Sequence, residues 1–150
     1  MRPYRGKRKD NGEWAYGWYA RIAHRHIIIT DNSSINPGDR WWFRIEDFVE
    51  VLPSTVGQST GIKDKNKKEI FGSIEINGKM SKGGDIVKVN NYQGPLTVKY
   101  EPLWMQYVLE KSVNDDYEIV GGQSEAAIWW DEVEVIGNAT DNPELEEGGQ

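Results

Sequence analysis

From Trp14 to Arg21 the chain reads Trp-Ala-Tyr-Gly-Trp-Tyr-Ala-Arg, and the side chains alternate in kind. Successive side chains of a strand point to opposite sides. Trp14, Tyr16, Trp18 and Ala20 therefore share one face, and Ala15, Gly17, Tyr19 and Arg21 the other. An alternating aromatic face of this kind ordinarily turns toward a core. "HRHIII" (24–29) reads as the hairpin partner of this strand, "RWWFRI" (40–45) as a third strand or a bulge, and "FVEVL" (48–52) as a fourth. "SIEING" and "DIVKVN" read as strands around a turn. "GPLTVKYE", "LWMQYVLE", "YEIVGG" and "WWDEVEVIGN" supply four more. Turn dipeptides punctuate these runs at Asn11-Gly12, Asn77-Gly78, Gly83-Gly84 and Gly94-Pro95, the pattern of an all-β chain. No stretch of ten or more residues keeps a helical period. The exception is the end, where Asn142, Pro143, Glu144 and Glu146 predict a short helical turn.

This pattern predicts two small packed β subdomains. Residues 1–60 form an N-terminal β subdomain. Residues 61–84 hold a Lys-rich hairpin and an insert, and residues 85–150 form a C-terminal barrel-like subdomain with an acidic tail. "GDIVKVNNYQGPLTVKYE" suggests a small twisted barrel of the Src-homology-3 kind, an analogy of fold that carries no function.

Composition narrows the classes. Seven tryptophans and seven tyrosines can fill a core despite low hydropathy. The absence of cysteine excludes disulfides, thiolate zinc sites and a cysteine nucleophile. The longest apolar run is Ile27-Ile28-Ile29, far short of a bilayer-spanning helix. The basic N-terminus is followed by no apolar run, so it does not read as a secretory signal. The expected location is the cytoplasm.

Charge is divided along the chain. Residues 1–70 hold thirteen basic and nine acidic side chains, a net of +4, and residues 71–150 hold five and fifteen, a net of -10. Either the two parts attract one another, or each offers its charge to a partner.

"GQSTGIKDKNKKEIF" (57–71) resembles a phosphate-binding loop at first sight. A P-loop needs lysine after its second glycine, and Ile62 stands there; no helix pattern follows. The segment reads instead as a hairpin whose tip places Asp64 and Asn66 in turn backbone and Lys63, Lys65, Lys67 and Lys68 in water.

The same segment, with "GGDIVKV" after it, resembles the YopX family of phage and prophage proteins. That family's pattern runs Val-Gly-Gln-Tyr-Thr-Gly-Leu-Lys-Asp-Lys-Asn-Gly-Lys-Glu-Ile-Tyr, then Glu-Gly-Asp-Ile-Val. Gly57, Gln58, Thr60, Gly61, Asp64, Glu69, Gly84 and Asp85 match it, with Lys63, Lys65, Asn66, Lys68, Ile70, Ile86 and Val87. The opening "RPYRGKRKDNGEWAYGWY" and the closing "VEVIGNATDNPELEE" are similar to the family's ends, so the resemblance spans nearly the whole chain. Lys67 stands where the pattern has glycine, Ser59 where it has tyrosine, and Ala139-Thr140 where it has Ile-Tyr; residues 72–83 are an insertion. The resemblance implies a phage-derived, β-rich, oligomeric protein of a bacterial cytoplasm, and it names no particular enzymatic activity.

Candidate chemistry is sparse. His24 and His26, two apart on a strand, share a face and could begin a metal site with Asp31 or Asp39. The blander alternative is a polar hairpin face. Asp115-Asp116 reads as a loop tip, Asp131 and Glu132 face opposite ways, and Asp85 is expected to bond local amides in a Gly-Asp turn. No nucleophile elbow is present. No catalytic residue, metal or cofactor is expected. The basic residues are the best lead. Arg2, Arg5, Arg8 and Lys9 cluster beside Trp18, and Lys63, Lys65, Lys67 and Lys68 could extend that surface, for a nucleic acid or for a protein partner. The doublets Trp41-Trp42 and Trp129-Trp130 put one ring on each sheet face, and an exposed tryptophan anchors protein contacts. The expected function is that of a non-catalytic accessory or adaptor protein acting by protein contact and self-assembly. The alternative is a nucleic-acid-binding module of phage replication or host takeover, and an uncharacterised enzyme is the outsider. A host or phage protein, or further copies of the chain, are the expected partners, with no membrane.

Overall fold

The computed structural model describes residues 3–30, 48–90, 94–113, 116–122 and 132–147. In chain order these form β1 (Tyr4–Lys7), β2 (Trp14–Ile22), β3 (Arg25–Thr30), β4 (Phe48–Glu50), a 3-10 turn (Pro53–Thr55), β5 (Gly57–Lys63), β6 (Glu69–Ser73), β7 (Glu75–Ile76) and β8 (Lys79–Met80). Then come β9 (Asp85–Lys88), β10 (Leu96–Glu101), β11 (Gln106–Val113), β12 (Asp116–Gly122), β13 (Glu134–Asn138) and the helix α1 (Pro143–Glu147). The fold is mostly β, as expected, with one sheet curled into a half barrel and a short C-terminal helix.

The sheet runs β12-β11-β10-β6-β5-β1-β2-β3-β4, with β9 joining β10 to β13. β10 lies parallel to β6 at Lys99 and Ser73, and the other pairings are antiparallel. Residue 60 lies within β5, and the sheet is continuous through it.

Local chemistry sets the hairpins. β2 and β3 are joined by Ala23 and His24, both at positive φ (46° and 70°), the backbone of a two-residue turn that matches strand twist. Asn77 and Gly78 form a turn of the same kind between β7 and β8. Here the structure corrects an expectation. "SIEING" does not pair with "DIVKVN"; β7 folds back on β8, while β9 pairs with β10 and β13.

Two clusters of apolar side chains lie against the sheet. One holds Ile70, Val87, Leu96, Val98, Tyr107, Leu109 and Val133. The other holds Ala15, Ile28, Val51 and Val56, with Tyr4, Tyr19 and Val49 beside them, and Ile74 and Ile76 cover it. Gln58 links the two: its amide oxygen accepts from the Tyr107 hydroxyl at 2.7 Å, and its nitrogen donates to the Tyr4 hydroxyl at 3.2 Å.

The β5–β6 tip is closed by Lys67, which adopts φ 67° where the family pattern has glycine. A side chain in the left-handed region costs roughly 1–2 kcal/mol, and glycine enters it freely at some loss of unfolded-state entropy. Lys67→Gly should therefore stabilise the chain by about 0.5–1 kcal/mol, roughly 2 °C in Tm. Thermal unfolding followed by circular dichroism checks this; a lower Tm would show that the Lys67 side chain contributes a contact of its own.

At the C-terminus Pro143 opens α1 as expected. The side chain of Asn142 turns back, its oxygen accepting from the Asn138 N–H at 3.1 Å. No helix among the described residues is long and apolar enough to cross a membrane.

Candidate interaction surface

Arg5 lies on β1 opposite Tyr16 of β2 and Gly57 of β5, so its side chain enters the sheet face shared by those strands. It is buried, not a surface cation. Its guanidinium donates to the Gly83 carbonyl at 3.1 and 2.7 Å and to Asp85 Oδ1 at 2.7 Å, between the rings of Trp14 (4.7 Å) and Phe71 (4.4 Å). Asp85 also accepts from the Phe71 N–H at 2.8 Å. Asp85 thus holds distant groups, not the local amides expected of a turn. Burial pushes its carboxyl above the ordinary value, while Arg5 and the Phe71 N–H oppose that shift. Glycines permit this approach. A Cβ on Gly57 would stand 2.4 Å from the Gly83 oxygen, and one on Gly84 would stand 2.3 Å from the Val98 oxygen.

The other described cations of the N-terminal segment, Lys7, Arg8 and Lys9, are also paired. Lys7 reaches Asp141 at 2.8 Å, and the Trp14 indole N–H donates to the same carboxylate at 2.9 Å. Burial would raise Asp141; bonds from Lys7, Trp14 and Asn138 outweigh it and hold this carboxyl below its usual range. Arg8 bonds Asp10 at 2.7 Å, and Lys9 bonds Glu50 at 3.0 Å. Lys65, on the hairpin tip, meets Glu134 at 2.8 Å. Arg5–Asp85, Lys7–Asp141 and Lys65–Glu134 all join the basic first part of the chain to the acidic last part. The division of charge is satisfied to that extent inside one molecule. Lys63, Lys67 and Lys68 stand exposed at the tip, and Arg2 lies outside the described residues.

The motif residues are fastenings. Asp64 is buried; its Oδ1 accepts from the N–H groups of Asn66 and Lys68 at 2.8 and 2.9 Å, and its Oδ2 from that of Val135 at 3.0 Å. Burial pushes this carboxyl up, and the three backbone N–H groups outweigh it, so its pKa falls below the ordinary value. Glu69 accepts from the Ser59 hydroxyl at 2.5 Å. Thr60 donates to the Ile70 carbonyl at 2.9 Å beside Gly61 (φ 76°), where the β5–β6 register shifts.

The histidines do not form a pair. His24 sits in the turn and His26 on β3, so they share no strand face. His26 is buried, and its Nδ1 meets the Tyr19 hydroxyl at 2.5 Å. Burial, then Arg21 and Lys9, lower its pKa. No group of three metal-ligating side chains occurs among the described residues. Asp31, Asp39, Trp41-Trp42, Asp115, Trp129-Trp130 and Asp131 lie outside them.

The aromatic strand faces opposite to the expectation. Ala15, Gly17 and Tyr19 turn to the core, while Tyr16 is 52% and Trp18 36% exposed. A further apolar group escaped the sequence reading. Glu101 pairs with Gln106, which leaves Pro102 to Met105 as the β10–β11 tip, with Leu103 89%, Trp104 46% and Met105 79% exposed. The signal was present: a hairpin tip without a polar residue breaks the usual pattern.

Two comparisons bear on this arrangement. A family model described as "YopX protein" matches residues 3–147. No curated protein matches the chain.

Proposed function

From the premise that the chain belongs to the YopX family, we propose that it is a non-catalytic, phage- or prophage-derived accessory protein of the bacterial cytoplasm. It acts by contact with other proteins and with copies of itself. The observation that carries this is the exposed apolar tip of Leu103, Trp104 and Met105. Exposed aromatic and apolar anchors are what protein interfaces are built on. The fastening role of the family motif also supports the reading, since Gln58, Thr60, Asp64, Glu69 and Asp85 are taken up in bonds within the fold.

Nucleic-acid binding is the second reading. Tyr16 and Trp18 in solvent could stack bases. It ranks lower because Arg5, Lys7, Arg8 and Lys9, the cations of the same N-terminal segment as those rings, are each engaged by a carboxylate, and the exposed Lys63, Lys67 and Lys68 belong to another hairpin.

Light-scattering chromatography with and without a fluorescent single-stranded oligonucleotide, at ~50 and ~200 mM salt, separates the two. The expected result is an assembly larger than one chain whose mass the oligonucleotide does not change. A complex with the oligonucleotide that weakens steeply at the higher salt would reverse the ranking.

A further inference from the structure

The β10–β11 tip is a built feature. The Leu103 N–H donates to Glu101 Oε1 at 3.1 Å, the Trp104 N–H to the Glu101 carbonyl at 3.2 Å, and the Met105 N–H to the Pro102 carbonyl at 3.3 Å. Met105 keeps a side chain at φ 55°, a conformation that glycine or asparagine would hold more easily. A short turn with a bonded backbone thus carries three large apolar side chains into water. Such a turn binds with little loss of conformational freedom. Its rigidity suits a shaped protein pocket better than fluid lipid. The charged atoms at its base are the Glu101 carboxylate, which would be repelled by an anionic membrane surface.

The same chain carries a matching hollow. Between the 3-10 turn and the β7–β8 hairpin lies an open groove of about 350 Å³. Pro53, Ile76 and Met80 give it apolar walls; Lys79 lines it too, as does Lys82, which also meets Glu146 at 3.8 Å. Met80 is exposed there. The groove has room for one large side chain with a neighbour, and the Lys79 ammonium is opposite in charge to Glu101. We infer that the Leu103-Trp104-Met105 tip of one copy seats in this groove of a second copy. The inference rests on the self-association proposed above and assigns it a surface.

Two exposed substitutions test it on the full chain: Trp104→Ser at the tip and Met80→Glu in the groove. Each should leave the circular dichroism spectrum unchanged and weaken self-association at least ~30-fold across a dilution series in sedimentation velocity. Mixed in equal amounts, the two variants should form a complex, because the first retains an intact groove and the second an intact tip. Wild-type assembly that neither or only one variant disturbs overturns the inference and leaves self-association standing, as does the absence of a complex on mixing. A wild-type chain that stays monomeric throughout the series overturns both.

Discussion

Arg5→Met should lower the stability of the chain by about 3–5 kcal/mol, the effect of leaving a buried carboxylate without its partner. In a chain of this size that is a fall in Tm of roughly 10 °C or more. The loss has three parts. Asp85 keeps its Phe71 N–H bond but loses the guanidinium. The Gly83 carbonyl loses two donors. The rings of Trp14 and Phe71 lose the cation between them. Adding Asp85→Leu to Arg5→Met should recover part of the loss, because an apolar pair carries no stranded charge. The cycle of single and double variants, read by urea unfolding, gives the coupling between the two side chains. Additive effects would show that the pair is incidental. The same variant separates the two functional readings at this residue. If Arg5 met phosphate from the surface, its loss would cut oligonucleotide binding at nearly unchanged Tm.

How much of this was legible in the chain depends on the range of the physics. Turns are short-range and were readable where glycine or asparagine marks them, as at Asn77-Gly78, although β8, the strand that β7 meets there, was not. The Ala23-His24 turn carries no such mark, and the sequence pattern places His24 on the following strand instead. Alternation in turn gives a period without a direction. It showed that the two faces of β2 differ, but not that the Ala15, Gly17 and Tyr19 face would be the buried one. That choice depends on what packs against it, here Ile28, Val51 and the returning β7–β8 hairpin. The cations were misread for a similar reason. Arg5 and Asp85 are 80 positions apart, and Trp14 and Asp141 are 127 apart. No local pattern announces such partners. The basic N-terminus therefore looked like a surface, although its charge is largely taken up within the fold. The family motif was legible as a motif; its meaning as a set of fastenings needed the bonds.

Asp64 shows that meaning most directly, and it carries the second large effect. Asp64→Ala would leave the N–H groups of Asn66, Lys68 and Val135 without their acceptor at the point where the β5–β6 hairpin meets β13. Buried donors left unmade cost about 1–3 kcal/mol each, and water entering at the tip satisfies some of them, so a loss of roughly 3 kcal/mol is expected. The acid limb gives an independent check. The folded-state pKa of Asp64 is lowered, since the three N–H groups favour its charged form more than burial disfavours it. A carboxyl of this kind stabilises the fold fully above its unfolded-state pKa of about 3.9, and that contribution is lost as the pH falls through the lower folded-state value. The difference in unfolding free energy between the wild type and Asp64→Ala should therefore be constant from neutral pH down to about 5, then shrink with further acidification. A difference that stays constant to the lowest pH at which both chains fold would mean that the ionised carboxylate is not what fastens the hairpin. Lys65 donates its own N–H to the Val133 carbonyl at 2.9 Å beside this carboxylate. The hairpin is thus tied to the C-terminal strand from both sides of Asp64, and local opening of the tip should expose the amide of Val135 together with those of Lys65, Asn66 and Lys68. Hydrogen exchange of these amides should quicken as a group in Asp64→Ala, while the amides of β2 and β3 keep their wild-type order of protection.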